Sequence, residues 1–220
     1  MKMAALVILG YLIGSIPFAL VIGKVFYHTD VRQYGSGNLG GGNTGRVLGK
    51  KAGLSVMALD LLKVSLIALI AKQLTGSDTA VALACLAAGI GHCYPVFAHF
   101  KGGKAVAAMY GYLFGLFVAA GRSPLYFFLP LIVFLVVIFF SKIVALSSIV
   151  SAAAVTAYVW MQPEILPVRL VLLVFALLIL VRHRANLERM VRHEENRVKW
   201  VPELGGKAGR SAEKEKGHEK

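Results

Sequence analysis

Apolar residues in this chain come in long runs separated by short polar breaks. A bilayer core is crossed by about 20 apolar residues in helical form. Runs at 3–26, 53–74, 80–97, 105–120, 125–140, 143–161 and 168–181 therefore predict an all-α integral membrane protein, a bundle of about seven transmembrane helices. The breaks carry turn chemistry: Thr75 to Asp78, Gly121 to Pro124, and Gln162, Pro163, Glu164 and Pro167. The least marked break is Ser141 and Lys142, where two spans meet across a minimal turn. The first run begins after Lys2 like a secretory signal, but it continues past Pro17 through Leu20 to Ile22, which favours a retained helix. Its Gly10, Gly14 and Ser15 permit close contact with another helix.

Composition agrees: 57% of residues are hydrophobic and 16% charged, with a mean hydropathy of +0.70, more apolar side chain than one soluble core absorbs. A net charge of +13 raises the possibility of a nucleic-acid ligand. The basic residues instead cluster beside apolar runs, the pattern of the positive-inside rule, and no groove-reading or base-stacking module accompanies them. Segments 27–52, 98–104, 141–142 and everything after 181 hold Arg32, Arg46, Lys50, Lys51, Lys101, Lys104, Lys142, Arg182, Arg184, Arg189 and Arg192. The other face has only Lys2, Lys72, Arg122 and Arg169 near it, which orients the glycine-rich loops to the cytoplasm. Residues 1–200 read as a single transmembrane domain, and 201–220 as a disordered cytoplasmic tail of mixed charge. Cys85 and Cys93 lie in or beside one apolar run without metal-ligand spacing and read as buried thiols; neither a metal nor another cofactor is expected.

Three polar segments carry candidate chemistry. The first, Gly35-Ser36-Gly37-Asn38-Leu39-Gly40-Gly41-Gly42-Asn43 with Arg46 following, offers backbone N–H groups and short polar side chains to an anion, with a guanidinium for a phosphate. A flexible linker is the plain alternative. The second runs from Gly91-His92-Cys93-Tyr94-Pro95 to Phe100-Lys101-Gly102-Gly103-Lys104 at the start of a span. Paired lysines and glycines at a helix N-terminus suit an oxyanion; the alternative is charge that merely orients the helices. The spacing is not that of a P-loop, so nucleotide hydrolysis is not indicated. The third, Arg182-His183-Arg184-Ala185-Asn186, puts His183 and Asn186 on one helical face, or else forms a basic helix resting on anionic headgroups. Within the second span, Asp60 and Lys63 are either an ion pair supporting the helix or part of a polar cavity.

In this order the segments resemble the acyl-phosphate:glycerol-3-phosphate acyltransferases of bacteria, the PlsY family. Its first motif, about GSGNPGATN with a following Arg, is matched by Gly35, Ser36, Gly37, Asn38, Gly40, Asn43 and Arg46. Its second, GHxxPxFxxFKGGKG, is matched by Gly91, His92, Pro95, Phe97, Phe100, Lys101, Gly102, Gly103 and Lys104. Its third, HRxNIxRLLxGxE, is matched by His183, Arg184, Asn186, Arg189 and Glu195. The departures are Leu39 for Pro, Gly41 and Gly42 for Ala-Thr, Ala105 for the last Gly of the second motif, Ala108 for Thr, and His193 for Gly. An alanine at 105 disturbs the cradle if that position needs positive φ.

The resemblance implies acyl transfer from acyl phosphate to the 1-hydroxyl of sn-glycerol 3-phosphate, giving lysophosphatidate and phosphate, in phospholipid synthesis at the bacterial plasma membrane. Its partners are then acyl phosphate, glycerol 3-phosphate, membrane lipid and the enzyme that supplies acyl phosphate, with no nucleic acid. An acyl phosphate is already activated, so positioning and charge stabilisation suffice without a covalent intermediate. Ser36, Arg46, His183 and Asn186 are the expected catalytic residues, with His183 as candidate base and a substrate phosphate oxygen as its rival. Asn38, Gly40, Asn43, His92, Lys101, Gly102, Gly103, Lys104 and Arg184 are expected to bind substrate. None of the 6 histidines has an Asp five positions on, which disfavours a donor used by His-x4-Asp acyltransferases. A catalytically weak paralogue that binds acyl phosphate, and a small-anion transporter, are the alternatives.

Overall fold

The computed structural model describes residues 1–198; the tail expected at 201–220 lies outside them. Every apolar run is helical, and the described residues contain no strand. The helices are α1 (Lys2–Gly14), α2 (Phe18–Tyr27), α3 (Gly41–Leu48), α4 (Lys50–Thr75), α5 (Asp78–Cys93), α6 (Val106–Val118), α7 (Leu125–Ser141), α8 (Val144–Trp160), α9 (Leu166–Arg182) and α10 (Arg184–Val191), with 3-10 turns at Val31–Gln33 and Val96–Ala98.

Three stretches are long and apolar enough to cross a membrane unaided: α1 with α2 (26 residues), α4 (26 residues) and α5 with the turn after it (21 residues). The 17 residues of α9 reach that length only when taken together with α10, which turns away by 54° at His183. Helices α6, α7 and α8 have 13, 17 and 17 residues, about 20–26 Å at 1.5 Å per residue, somewhat short of a typical hydrocarbon core.

The first span is continuous in direction but broken as a helix at Pro17, which lacks the N–H that would continue the ladder. Leu20 N–H donates to the Pro17 carbonyl at 2.8 Å, so the Ile16 carbonyl is left without its helical partner. The segment 27–52, expected as a loop, is half helix: the Gly40 carbonyl accepts from the N–H groups of Asn43 and Thr44, both at 3.1 Å, and starts α3.

Helix α4 runs through the middle of the fold, against α1, α2, α3, α5 and α6. The main core gathers Ile67, Met109, Tyr112, Leu113, Leu116, Leu172, Phe175 and Ile179 from α4, α6 and α9. A second cluster of Leu20, Ile22, Val31, Leu39, Val56 and Ala98 lies where the glycine-rich segments leave the bundle. At the opposite end Arg122 holds Glu164 at 2.6 Å and Asp78 at 2.7 Å, tying together the turns before α5, α7 and α9. Backbones of α1 and α5 touch: a Cβ on Gly10 would stand 2.3 Å from the Ala84 carbonyl oxygen, and one on Gly14 would stand 2.1 Å from that of Ala88. Small residues give such contacts because lipid supplies no hydrophobic drive between helices and dispersion requires close approach. Gly14→Leu should force α1 off α5 and cost about 2 kcal/mol, read as a lower thermal midpoint of the detergent-purified protein.

Candidate functional site

The first segment leaves α2 and is pinned by its own polar side chains. Asp30 accepts the Arg32 N–H and receives its guanidinium at 2.6 Å, so the Asp30 carboxyl is held down to about 2, chiefly by hydrogen bonding to Arg32. Buried Asn43 organises the loop between Val31 and Ser36. Its Nδ2 donates to the carbonyls of Val31 and Tyr34 at 3.0 and 3.2 Å. Its Oδ1 accepts from Ser36 N–H at 2.9 Å and Ser36 Oγ at 3.2 Å. Gly35 at φ 61° makes the turn that allows this; a Cβ there would meet Asn43 Oδ1 at 2.4 Å. Ser36 and Asn38 are thereby presented outward, while Leu39 is buried behind them.

The second segment leaves α5 at His92. Gly103 N–H donates to the His92 carbonyl at 2.9 Å, so it is not available to an anion as the sequence suggested. The Gly102 and Gly103 carbonyls face the third segment: Arg182 donates Nε to Gly103 O and an NH2 hydrogen to Gly102 O, both at 3.0 Å. Asn38 Nδ2 also reaches Gly102 O, at 3.2 Å. The glycines thus shape and anchor the loop, and its lysines supply the positive charge. Ala105, before α6, has φ 64°, where an L side chain costs roughly 1–2 kcal/mol. His193, the other non-glycine residue at a family glycine position, is likewise left-handed, at φ 59°.

The third segment follows the bend at His183. Lys104 Nζ donates to Asn186 Oδ1, Asn186 Nδ2 donates to Glu195 at 2.7 Å, and Arg189 Nε donates to the other Glu195 oxygen at 2.8 Å. Burial lowers Lys104 to about 8; Glu195 opposes this, and the charges of Arg189, Arg46 and Arg182 add to it. His183, just beyond α9, is pushed down to about 4 mainly by burial. Its Nδ1 lies 2.8 Å from the Ile179 carbonyl. Neutral imidazole in that geometry carries its proton on Nδ1 and leaves Nε2 as acceptor.

Together the three segments enclose a cavity of about 290 Å³ lined by Ser36, Gly37, Asn38, Phe100, Lys101, Gly102, Lys104, Arg182, Ala185, Asn186 and Arg189. Of the expected site residues, Ser36, Asn38, Lys101, Gly102, Lys104 and Asn186 line it. Gly40 caps α3, Asn43 and His92 support the loops from beneath, and Gly103 and His183 lie behind the lining. Arg46 and Arg184 are exposed and do not line it, though the Arg46 charge is felt at Lys104. Sequence reasoning assigned no site role to Arg182, or to Arg189, Gly37, Phe100 and Ala185. The usable signal was the spacing of Asn186 and Arg189 at i and i+3, which shares a face of α10; Arg182, on the other side of the bend, reads as an ordinary basic residue at the end of a span.

The remaining departures from the motifs stay off the cavity. Leu39 and Ala108 are buried in the two cores. Gly41 packs on α4, where a Cβ would meet Met57 Cγ at 2.2 Å and Gly53 O at 2.6 Å; Gly42 has open space.

A family model described as glycerol-3-phosphate acyltransferase matches residues 4–193. A protein of Geobacillus kaustophilus (strain HTA426) named glycerol-3-phosphate acyltransferase is 45% identical over 197 residues, 90% of this chain and 96% of its own. One of the same name from Streptococcus pyogenes serotype M1 is 38% identical over 210 residues, 91% of this chain and 95% of its own. Two crystal structures of PlsY (YgiH), an integral membrane glycerol 3-phosphate acyltransferase, are similar at 36% identity. The glycerol 3-phosphate form has a TM-score of 0.83, covering 90% of this chain and 96% of that one. The lysophosphatidic acid form has 0.81, covering 90% and 95%.

Asn43→Ala removes the partners of two carbonyls and of Ser36. It should cost about 2–3 kcal/mol and open segment 31–45 to proteolysis, measured as faster cleavage there and a lower thermal midpoint.

Proposed function

Starting from the membership of this chain in the glycerol-3-phosphate acyltransferase family of integral membrane enzymes, we propose that it moves an acyl chain from acyl phosphate to the 1-hydroxyl of glycerol 3-phosphate. The carrying observation is the cavity itself: Lys101, Lys104, Arg182 and Arg189 line one pocket together with Phe100, at the end of an apolar bundle. Two phosphate-bearing substrates, one of them a lipid, need that combination of cations and apolar wall.

Lys101 and Lys104 hold the phosphate of glycerol 3-phosphate. Arg182, fixed on the Gly102 and Gly103 carbonyls, keeps their loop in place and lends its charge to the same pocket. Asn38, Ser36 and Arg189 face the acyl phosphate, and Arg46 lends its charge from outside the lining. The hydroxyl oxygen attacks the acyl carbon, the bond from that carbon to the phosphate oxygen breaks, and lysophosphatidate and inorganic phosphate leave. Ser36 Oγ is bonded to an amide oxygen and not to a base, which supports direct transfer without an acyl-enzyme. A mixed anhydride is a sufficient donor for that route.

A base with a pKa of about 4 has little driving force for taking a proton from an alcohol. The departing phosphate oxygen is therefore the proton acceptor, and His183 acts from behind the lining, its ring held with Nδ1 2.8 Å from the Ile179 carbonyl. The concentration of basic residues at this end of the bundle supports a cytoplasmic site in the plasma membrane, where the enzyme that makes acyl phosphate would be its supplier.

The decisive assay supplies acyl phosphate and glycerol 3-phosphate to the purified protein in detergent and follows lysophosphatidate; no product above background refutes the proposal. Lys104→Ala should raise the KM for glycerol 3-phosphate about 10- to 100-fold, and an unchanged KM removes Lys104 from the binding site. Lys104 is charged below its pKa of about 8, so kcat/KM for glycerol 3-phosphate should fall as pH rises through that value, and Lys104→Arg should move the fall to higher pH. His183→Ala should lower kcat by about tenfold; a loss of about 10³ or more, in the range of general-base catalysis, would make His183 the base.

A further inference from the structure

Beneath the Lys101–Lys104 loop lies an ionic cluster that the proposed chemistry does not use. Asp60 and Lys63 are one turn apart on α4, each side chain 3% exposed, with Nζ 2.7 Å from Oδ1. Lys63 also donates to the Ile16 carbonyl at 2.9 Å, the acceptor that the Pro17 break leaves unpaired. Lys63 therefore has its own structural role, closing the break between α1 and α2. Its pairing with Asp60 neutralises both ions, as a position inside a span requires.

Asp60 faces a third group as well. Its Oδ1 is 3.5 Å from Nδ1 of His92, whose side chain is 4% exposed. The imidazole is the floor of the loop: a methyl group on Gly103 would stand 2.0 Å from His92 Nε2. The His92 carbonyl accepts the Gly103 N–H, and the Gly103 carbonyl accepts Arg182 Nε. A turn of the ring would thus displace Gly103, and with it the neighbouring Lys104 and the Arg182 clamp. A pair that only stabilised the helix would need no third partner pointed at a loop on another element.

We infer that Asp60 is a positioning residue: it fixes the His92 ring, and through the ring the Gly103 backbone that sets where Lys104 stands. This rests on the assignment of the Lys101–Lys104 loop to glycerol 3-phosphate. A loop held in the wrong place loses phosphate binding in the ground state and the transition state alike, which raises KM and leaves kcat nearly unchanged.

Two double variants isolate the effect in the detergent-purified enzyme, with glycerol 3-phosphate varied at saturating acyl phosphate. Asp60→Asn/Lys63→Met removes both charges and keeps an oxygen facing His92; Asp60→Leu/Lys63→Met removes the oxygen too. The cost of losing Lys63 is common to both. The Asn variant should keep a KM within about threefold of wild type. The Leu variant should raise it about tenfold, the scale of a lost supporting contact, with kcat within about threefold. Equal KM values in the two variants, at or near the wild-type value, overturn the inference, as does a loss confined to kcat or to the folded fraction. Absence of product from the wild type would instead refute the reading of the site. A measurement on the unmutated protein keeps the inference testable if either variant folds poorly: the 15N signals of His92 should place a hydrogen-bonded proton on Nδ1, and an unprotonated Nδ1 overturns it.

Discussion

The clamp of Arg182 on the carbonyls of Gly102 and Gly103 holds the site together. A guanidinium presents its donors in a rigid fork, so two bonds to successive carbonyls fix both the angle and the distance between α9 and the loop before α6. Its planar face also lies 5.2 Å from the ring of Tyr94, on the segment leaving α5. One side chain therefore holds the third segment against both ends of the second, and the bend at His183 lets the chain beyond it close over the pocket. Glycine at 102 and 103 is the steric condition for this: a Cβ on Gly102 would fall 2.2 Å from the His92 carbonyl oxygen.

Charge in the pocket is concentrated and only partly offset. Four cations line it, and Glu195, held by Asn186 and Arg189, is the carboxylate nearest to them in the hydrogen-bond network. Burial lowers the pKa of Lys104, and the charges of Arg189, Arg46 and Arg182 lower it further. Electrostatic strain of this kind is tolerated where the surrounding structure is rigid. Here rigidity comes from Asn43 under the first loop, His92 under the second and the Asn186–Glu195 pair under the third. The far end of the bundle is tied separately, through Arg122.

Backbone conformation adds a smaller cost at the non-glycine residues of positive φ, two of which stand at motif glycine positions. Ala105 and His193 hold left-handed conformations where the related motifs have glycine. Ala105 is fully buried against the main core, so its methyl group recovers part of that cost through packing. Neither residue lines the cavity, so the cost of these departures falls on stability.

What the sequence by itself determined is the class of protein and the identity of its polar segments. Apolar runs of about 20 residues read as helices in lipid, because a helix satisfies every backbone polar group within its own segment and a barrel strand is about half that length, and the three motifs stand out because glycine, asparagine and paired lysines interrupt those runs. Some of the site was legible in the same way: Ser36, Asn38, Lys101, Lys104 and Asn186 line the cavity as their types suggest. Only the tertiary structure decided which polar groups face the cavity and which support it. Asn43 and His92 have the side chains of ligand contacts, yet their hydrogen-bonding capacity or bulk is taken up by neighbouring backbone, and Arg182, legible only as a charge at the end of a span, reaches across to a loop 79 residues earlier in the chain. Donor capacity is a property of residue type, but the partner that takes it up is set by long-range packing, which local spacing does not encode.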